Sequence, residues 1–154
     1  MAQTPQEGER FPELSFLTED DEKVSTGDLL GQTTVLYFYP KDQTPGCTRE
    51  ACAFRDRMED YERAGIKVYG VSLDPPESHR RFRERNGLNF PLLTDEEGRA
   101  ARKLGILSEK GYARRVTFLL DAGGTVLRVY PEVSPETHAD EVLAAASSGG
   151  PSAG

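Results

Sequence analysis

The chain has 154 residues with 19 Lys and Arg against 26 Asp and Glu, a formal net charge of −7, so it carries no net positive field for a phosphate backbone and nucleic acid is not an expected partner. Its length fits one domain, expected over residues 1–147, with residues 148–154 as a flexible tail. The start MAQTPQEGER lacks an apolar signal-peptide core, and the densest apolar run, residues 35–39, is far too short to span a bilayer, so the expected setting is cytoplasmic, away from membranes.

Residues 3–10 are polar and carry Pro5 and Gly8, the composition of a loosely held arm. Residues 14–17, LSFL, read as a short strand, with TEDDEK after them as an acidic turn. Residues 35–39, VLYFY, are β-branched and aromatic without polar alternation, which predicts a central strand covered on both faces. Pro40 ends it, having no N–H to give a ladder. A helix is expected over residues 45–64, with Thr44 as N-cap, Pro45 in the first turn and Gly65 past its end. Cys47, Ala51, Phe54, Met58 and Tyr61 recur at steps of three and four, one stripe facing the core. Cys52 points about 140° away from Cys47 on that helix.

Residues 66–73 predict a strand, and residues 77–86 a polar, Arg-rich helix stopped by Gly87, with His79 solvated. FPLL, residues 90–93, reads as a short edge strand, and residues 99–104 as a short helix ended by Gly105. Residues 115–120 and 125–130 flank Asp121-Ala122-Gly123-Gly124, a hairpin signal. A last helix is expected over residues 135–146, with His138 on its surface, before SSGGPSAG. The helix crossover between the strands at Val35 and Ile66 makes that pair parallel, while the hairpin is antiparallel. The expected architecture is therefore a thioredoxin-like α/β fold, a mixed sheet with helices on both faces.

Two cysteines cannot staple a small secreted scaffold, and with two distant histidines, His79 and His138, they give no zinc spacing. Cys47 lies in a helix first turn after a Gly-containing loop, where backbone N–H groups and the positive dipole end favour a thiolate. The Thr44 hydroxyl can turn toward the same pocket. A cation is needed as well; Arg115, at the start of a hydrophobic strand, is one candidate, and Arg114, Arg49 and Lys41 are its competitors. Taken singly, Cys47 also fits a small core residue, Cys52 a packing residue and Arg115 a solvated strand-end charge.

The run YFYPKDQTPGCTREACAFRD, residues 37–56, closely resembles the signature of the peroxiredoxins, specifically the bacterioferritin-comigratory-protein or Q-type subfamily. It carries the family's Pro-x-x-x-Thr-x-x-Cys motif at Pro40, Thr44 and Cys47, with the subfamily's second cysteine at Cys52. RRVTFLLD resembles the segment of the active-site arginine, which falls on Arg115, and the similarity extends over residues 8–146. The resemblance implies a thiol peroxidase acting on hydrogen peroxide and organic hydroperoxides. Cys47 would be the peroxidatic nucleophile, Thr44 and Arg115 would hold the two peroxide oxygens, and Pro40 would shield the sulfur from water. Cys52 would resolve the sulfenic acid as an intramolecular disulfide.

Five residues of intact helix separate Cα atoms by about 8.7 Å, whereas a disulfide tolerates roughly 4.4–6.8 Å, so the first turns must unwind in each cycle. Thioredoxin or a glutaredoxin-like protein is the implied reductant, with no haem, flavin or metal cofactor. A monomer is expected, since an intrachain pair needs no partner subunit. A thioredoxin-like disulfide oxidoreductase and a redox-responsive binding or chaperone module are the rivals; four residues between the cysteines, rather than two, argue against the first.

Overall fold

A run as apolar as TVLYF requires cover on both sides, and it receives it. In the computed structural model, which describes residues 3–148, this run is strand β3, Thr34–Phe38, with all five residues buried. Before it come β1, Ser15–Leu17, β2, Lys23–Ser25, and the short helix α1, Thr26–Leu29. After it come α2, Pro45–Arg63, β4, Lys67–Ser72, α3, Pro76–Asn86, and β5, Leu92–Thr94. A 3-10 turn, Glu96–Gly98, then leads to α4, Arg99–Lys103, β6, Val116–Leu120, β7, Val126–Tyr130, and α5, His138–Ser148.

The described strands form one seven-stranded sheet in the order β2-β1-β5-β4-β3-β6-β7. β3 runs parallel to β4, from Thr34↔Lys67 to Phe38↔Val71, because α2 carries the chain back between them. It runs antiparallel to β6, from Thr34↔Leu120 to Phe38↔Val116. This last register brings residue 115 to the end of β3 from which the loop into α2 departs.

Alternation along β3 divides the core. Leu36 and Phe38 face Phe11, Phe16, Ala101, Leu104 and Phe118, under α1, α4 and the N-terminal segment. Val35, Tyr37 and Tyr39 face Cys47, Phe54 and Tyr61 of α2, Phe82 of α3 and Val142 of α5. The Tyr37 ring stacks on Phe54 at 4.6 Å between centroids. A Cβ on Gly70 of β4 would stand 2.9 Å from the Tyr37 hydroxyl, so only glycine leaves room for that ring. The mixed sheet with helices on both faces is the thioredoxin-like arrangement expected, and among the described residues no helix is long and apolar enough to cross a membrane.

Several local expectations are corrected. The arm at residues 3–10 is pinned: Gln3 N–H donates to Lys103 O, Gly8 N–H to Val126 O, and Arg10 bridges Thr125. The free edge of β7 supplies acceptors that a composition argument does not see. The strand expected at the sheet edge, residues 90–93, is instead β5, shifted past Pro91 and enclosed between β4 and β1 through the pairs Gly70↔Leu92 and Leu17↔Thr94. β2 and α1 were not anticipated, because three or four residues are too few to show a period. α5 starts at His138, after a turn in which Ser134 O accepts from Thr137 and His138, and runs through Ser148. Of the tail expected over residues 148–154, Ser148 ends α5 and residues 149–154 lie outside the described ones. His79 and His138 are not solvated; both are 0% exposed. Each shares a helical face with a buried apolar residue, Phe82 three positions on and Val142 four positions on.

Candidate active site

α2 begins where the loop from β3 turns upward at Thr44. Thr44 is the N-cap residue, but its hydroxyl makes no cap bond; it donates to Lys41 O at 2.9 Å, closing the loop on itself. Pro45 opens the helix and Cys47 occupies the third helical position, 1% exposed. Arg115, just before β6, reaches across from the neighbouring strand end and directs Nη2–H to Cys47 Sγ at 3.4 Å. Gly46 makes this approach possible: a Cβ there would stand 3.0 Å from the same Nη2.

Glu50, one turn above Cys47, is fully buried and accepts from Arg115 Nη1 at 2.7 Å. One planar guanidinium thus serves both side chains through separate nitrogens. Burial opposes the Arg115 charge, but Glu50 and Cys47 more than offset it, leaving the guanidinium pKa above its ordinary value. Burial also drives the Glu50 carboxyl from 4.5 up to about 7, against the lowering pull of Arg115.

Of the cations weighed for the pocket, Arg115 alone has a recorded contact with the sulfur. Arg49 pairs with Glu136 at 3.3 Å, and Lys41 and Arg114 are exposed. A tight turn places Arg115: Ser108 N–H donates to Tyr112 O, and Arg114 N–H to Ile106 O. Pro40 is half-buried at the end of β3. Cys52 is half-buried further along α2, and both thiols are free. Among the described residues no group of His, Cys, Asp and Glu could hold a metal ion.

Residues 8–129 match the model of the AhpC/TSA family. The chain belongs to this family. It is 39% identical over 143 residues to peroxiredoxin Bcp of Escherichia coli K12, covering 88% of this chain and 92% of that protein. The solved peroxidoxin BcpB of Mycobacterium tuberculosis superposes with a TM-score of 0.83 at 32% identity, over 91% of this chain and 95% of that one. A bacterioferritin comigratory protein of Xanthomonas campestris, whose structure is reported for its alkyl peroxide reduction activity, superposes with a TM-score of 0.79 at 34% identity, over 86% and 88% of the two chains. The protein is a peroxiredoxin of the Bcp and Q type, a thiol-dependent peroxidase.

The residue of this peroxiredoxin site that sequence reading passed over is Glu50. Its position gave the signal, since it stands three residues after Cys47 and four before Phe54, on the buried stripe. Its pKa has a measurable consequence. The folded chain binds a proton at Glu50 that the unfolded chain releases above 4.5, so this group's stability contribution is complete below that pH and lost as pH rises through about 7. The loss is on the order of 3 kcal/mol. Glu50→Gln, which cannot ionise, should therefore unfold some degrees above the parent chain at pH 8 and lose that advantage at pH 4. An equal difference in Tm at both pH values would show that a buried charge is not the cause.

Proposed function

We propose that this enzyme reduces hydrogen peroxide and organic hydroperoxides through a Cys47 sulfenic acid that Cys52 resolves within the same chain. The observation that carries the reading is the Arg115 Nη2–H directed at Cys47 Sγ, 3.4 Å away, in the first turn of α2. A thiolate beside a guanidinium attacks one peroxide oxygen; the S–O bond forms, the O–O bond breaks, and hydroxide or alkoxide departs to take up a proton. Charge moves from sulfur along the S–O–O axis, so donors fixed beside both oxygens stabilise the transition state more than the bound peroxide. Arg115 is one such donor. Thr44 is the other, by rotation of a hydroxyl that in the resting loop donates to Lys41 O. Pro40 keeps water from the sulfur. The alkyl peroxide reduction activity reported for the Xanthomonas campestris relative supports organic hydroperoxides as part of the substrate range.

The Cys52 thiol then displaces water from the sulfenic acid. With both cysteines on one intact helix, this step needs the first turns of α2 to unwind, which separates Cys47 from Arg115. An external dithiol, thioredoxin or a glutaredoxin-like protein, reduces the disulfide. The intrachain pair supports a monomer, and a cytoplasmic setting supplies such dithiols.

With thioredoxin and its reductase, the parent chain should consume hydrogen peroxide over many turnovers. Cys52→Ser should stop after about one equivalent per chain and leave a sulfenic acid that dimedone traps and excess peroxide overoxidises. Full thioredoxin-driven turnover by Cys52→Ser would remove Cys52 from the cycle. A parent chain that stops after one equivalent would make the protein a sensor rather than a peroxidase.

A further inference from the structure

The loop that delivers Cys47 is anchored at one residue. Asp42 is only 4% exposed. Its Oδ1 accepts from the Tyr39 hydroxyl at 2.6 Å, and its Oδ2 from Ser78 Oγ at 2.8 Å. Oδ2 also lies 2.7 Å from His79 Nδ1. The Asp42 N–H donates to Asp74 Oδ2 at 2.8 Å, an oxygen that Ser72 Oγ holds at 2.6 Å. His79 Nε2 stands 3.0 Å from Leu93 O, which only accepts, so a proton belongs on that nitrogen. A second proton must lie between Nδ1 and the carboxylate, since two acceptors do not approach so closely. The pair therefore shares two protons at no net charge, which allows a histidine and an aspartate to be buried together.

The residue after β3 and the start of α3 thus converge on one loop side chain, and β5 braces it only through His79. Beyond it the hold is light: Arg85 Nη1 donates to Gln43 Oε1 at 3.2 Å, on the exposed surface. Gln43 is exposed, with φ at 69°, in a region that residues other than glycine seldom occupy. On the far side of Cys47, Glu50 and Ala51 are buried as well, and Phe54, 0% exposed, is the first residue whose ring stacks on the sheet, against Tyr37.

We infer that Asp42, clamped by Tyr39, Ser78 and His79, is the fixed upstream boundary of the segment that melts around Cys47, with Gln43 as its hinge and Phe54 as its downstream boundary. The inference rests on the reading of Cys52 as the resolving cysteine. Asp42 and His79 are then positioning residues: they set how easily residues 45–53 leave the helix. They thereby govern how the sulfenic acid divides between Cys52 and a second peroxide. A loosened clamp favours the melted form, so resolution gains over overoxidation while the closed peroxide pocket is less populated.

Asp42→Ala removes the acceptor. Asp42→Asn keeps the clamp, since the amide oxygen accepts from Tyr39 and the amide N–H donates to Nδ1 of a neutral His79. Two readouts apply: amide exchange on the reduced chains, and the hydrogen peroxide concentration that overoxidises half of Cys47 with dithiothreitol as donor. For Asp42→Ala, exchange at Thr48, whose N–H donates to Thr44 O at 2.8 Å, and at Glu50 and Ala51 in the next turn of α2 should rise at least about tenfold, and the overoxidation threshold should rise about threefold. Asp42→Asn should lie close to the parent on both. Ser78→Ala, which removes a single bond, should shift exchange the same way by about threefold, and it decides the matter if Asp42→Ala does not fold.

The proposal is overturned if these alanine variants lower Tm while exchange at the three amides stays unchanged, or if Asp42→Asn behaves like Asp42→Ala. The exchange readout needs no peroxide and tests the clamp by itself. A failure of Cys52 to resolve would appear separately, as a parent chain that forms no Cys47–Cys52 bond.

Discussion

Cys47→Ser should lower peroxide consumption by more than about 10³-fold, the largest loss expected from any single substitution in this chain. A serine hydroxyl stays protonated near neutral pH and has no oxidation state to accept the peroxide oxygen, so neither Arg115 nor the helix end can rescue it. The fold should survive, because the hydroxyl can still accept from Arg115 Nη2, which now reaches the sulfur at 3.4 Å. Circular dichroism should match the parent while peroxide persists. A residual rate above about a tenth of the parent would exclude Cys47 as the nucleophile.

Arg115→Met comes next. Methionine preserves much of the apolar stem but leaves both Glu50 and Cys47 without the guanidinium that contacts them at 2.7 and 3.4 Å. The second-order rate constant for oxidation of Cys47, read by single-turnover stopped flow, should fall about 10²–10³-fold, the usual cost of removing a fixed donor from a developing charge. Arg115→Lys should recover only part of this. One ammonium cannot reproduce a planar fork that addresses two groups through separate nitrogens. Conversion of a preformed sulfenic acid to the disulfide should be little changed, because the proposed unwinding would already have removed the sulfur from Arg115. An Arg115→Met chain that reacts within about threefold of the parent would show that the guanidinium is structural rather than catalytic.

Long elements were legible because their patterns are long. VLYFY at residues 35–39, the stripe through Ala51, Phe54, Met58 and Tyr61, and the hairpin around Asp121–Gly124 each give several agreeing positions, and they fall on β3 shifted by one residue, the buried face of α2, and β6 with β7. The motif residues Thr44 and Cys47 could be placed on one helix end before any fold was known. Buried polar groups were not legible. Glu50, His79, Asp42 and His138 look solvated by composition, and only tertiary partners make their burial tolerable. His138 illustrates this: its Nε2 lies 2.7 Å from Thr117 Oγ1 on β6, a residue 21 positions away. Position and composition left Arg115 and Arg114 level, and only the family resemblance of RRVTFLLD favoured Arg115; the physical choice between them depends on the register Phe38↔Val116.

The two halves of the proposed reactive centre lie far apart along the chain, with Cys47 and Arg115 separated by 68 positions and Glu50 and Arg115 by 65. They meet only when β6 has docked beside β3, which is among the longer-range events of folding. A polypeptide still emerging from the ribosome, or one released by thermal unfolding, therefore presents an ordinary thiol with no guanidinium beside it. On the reading proposed above, fast reaction with peroxide waits for completion of the sheet, and copies that have not closed it lack the centre that performs it.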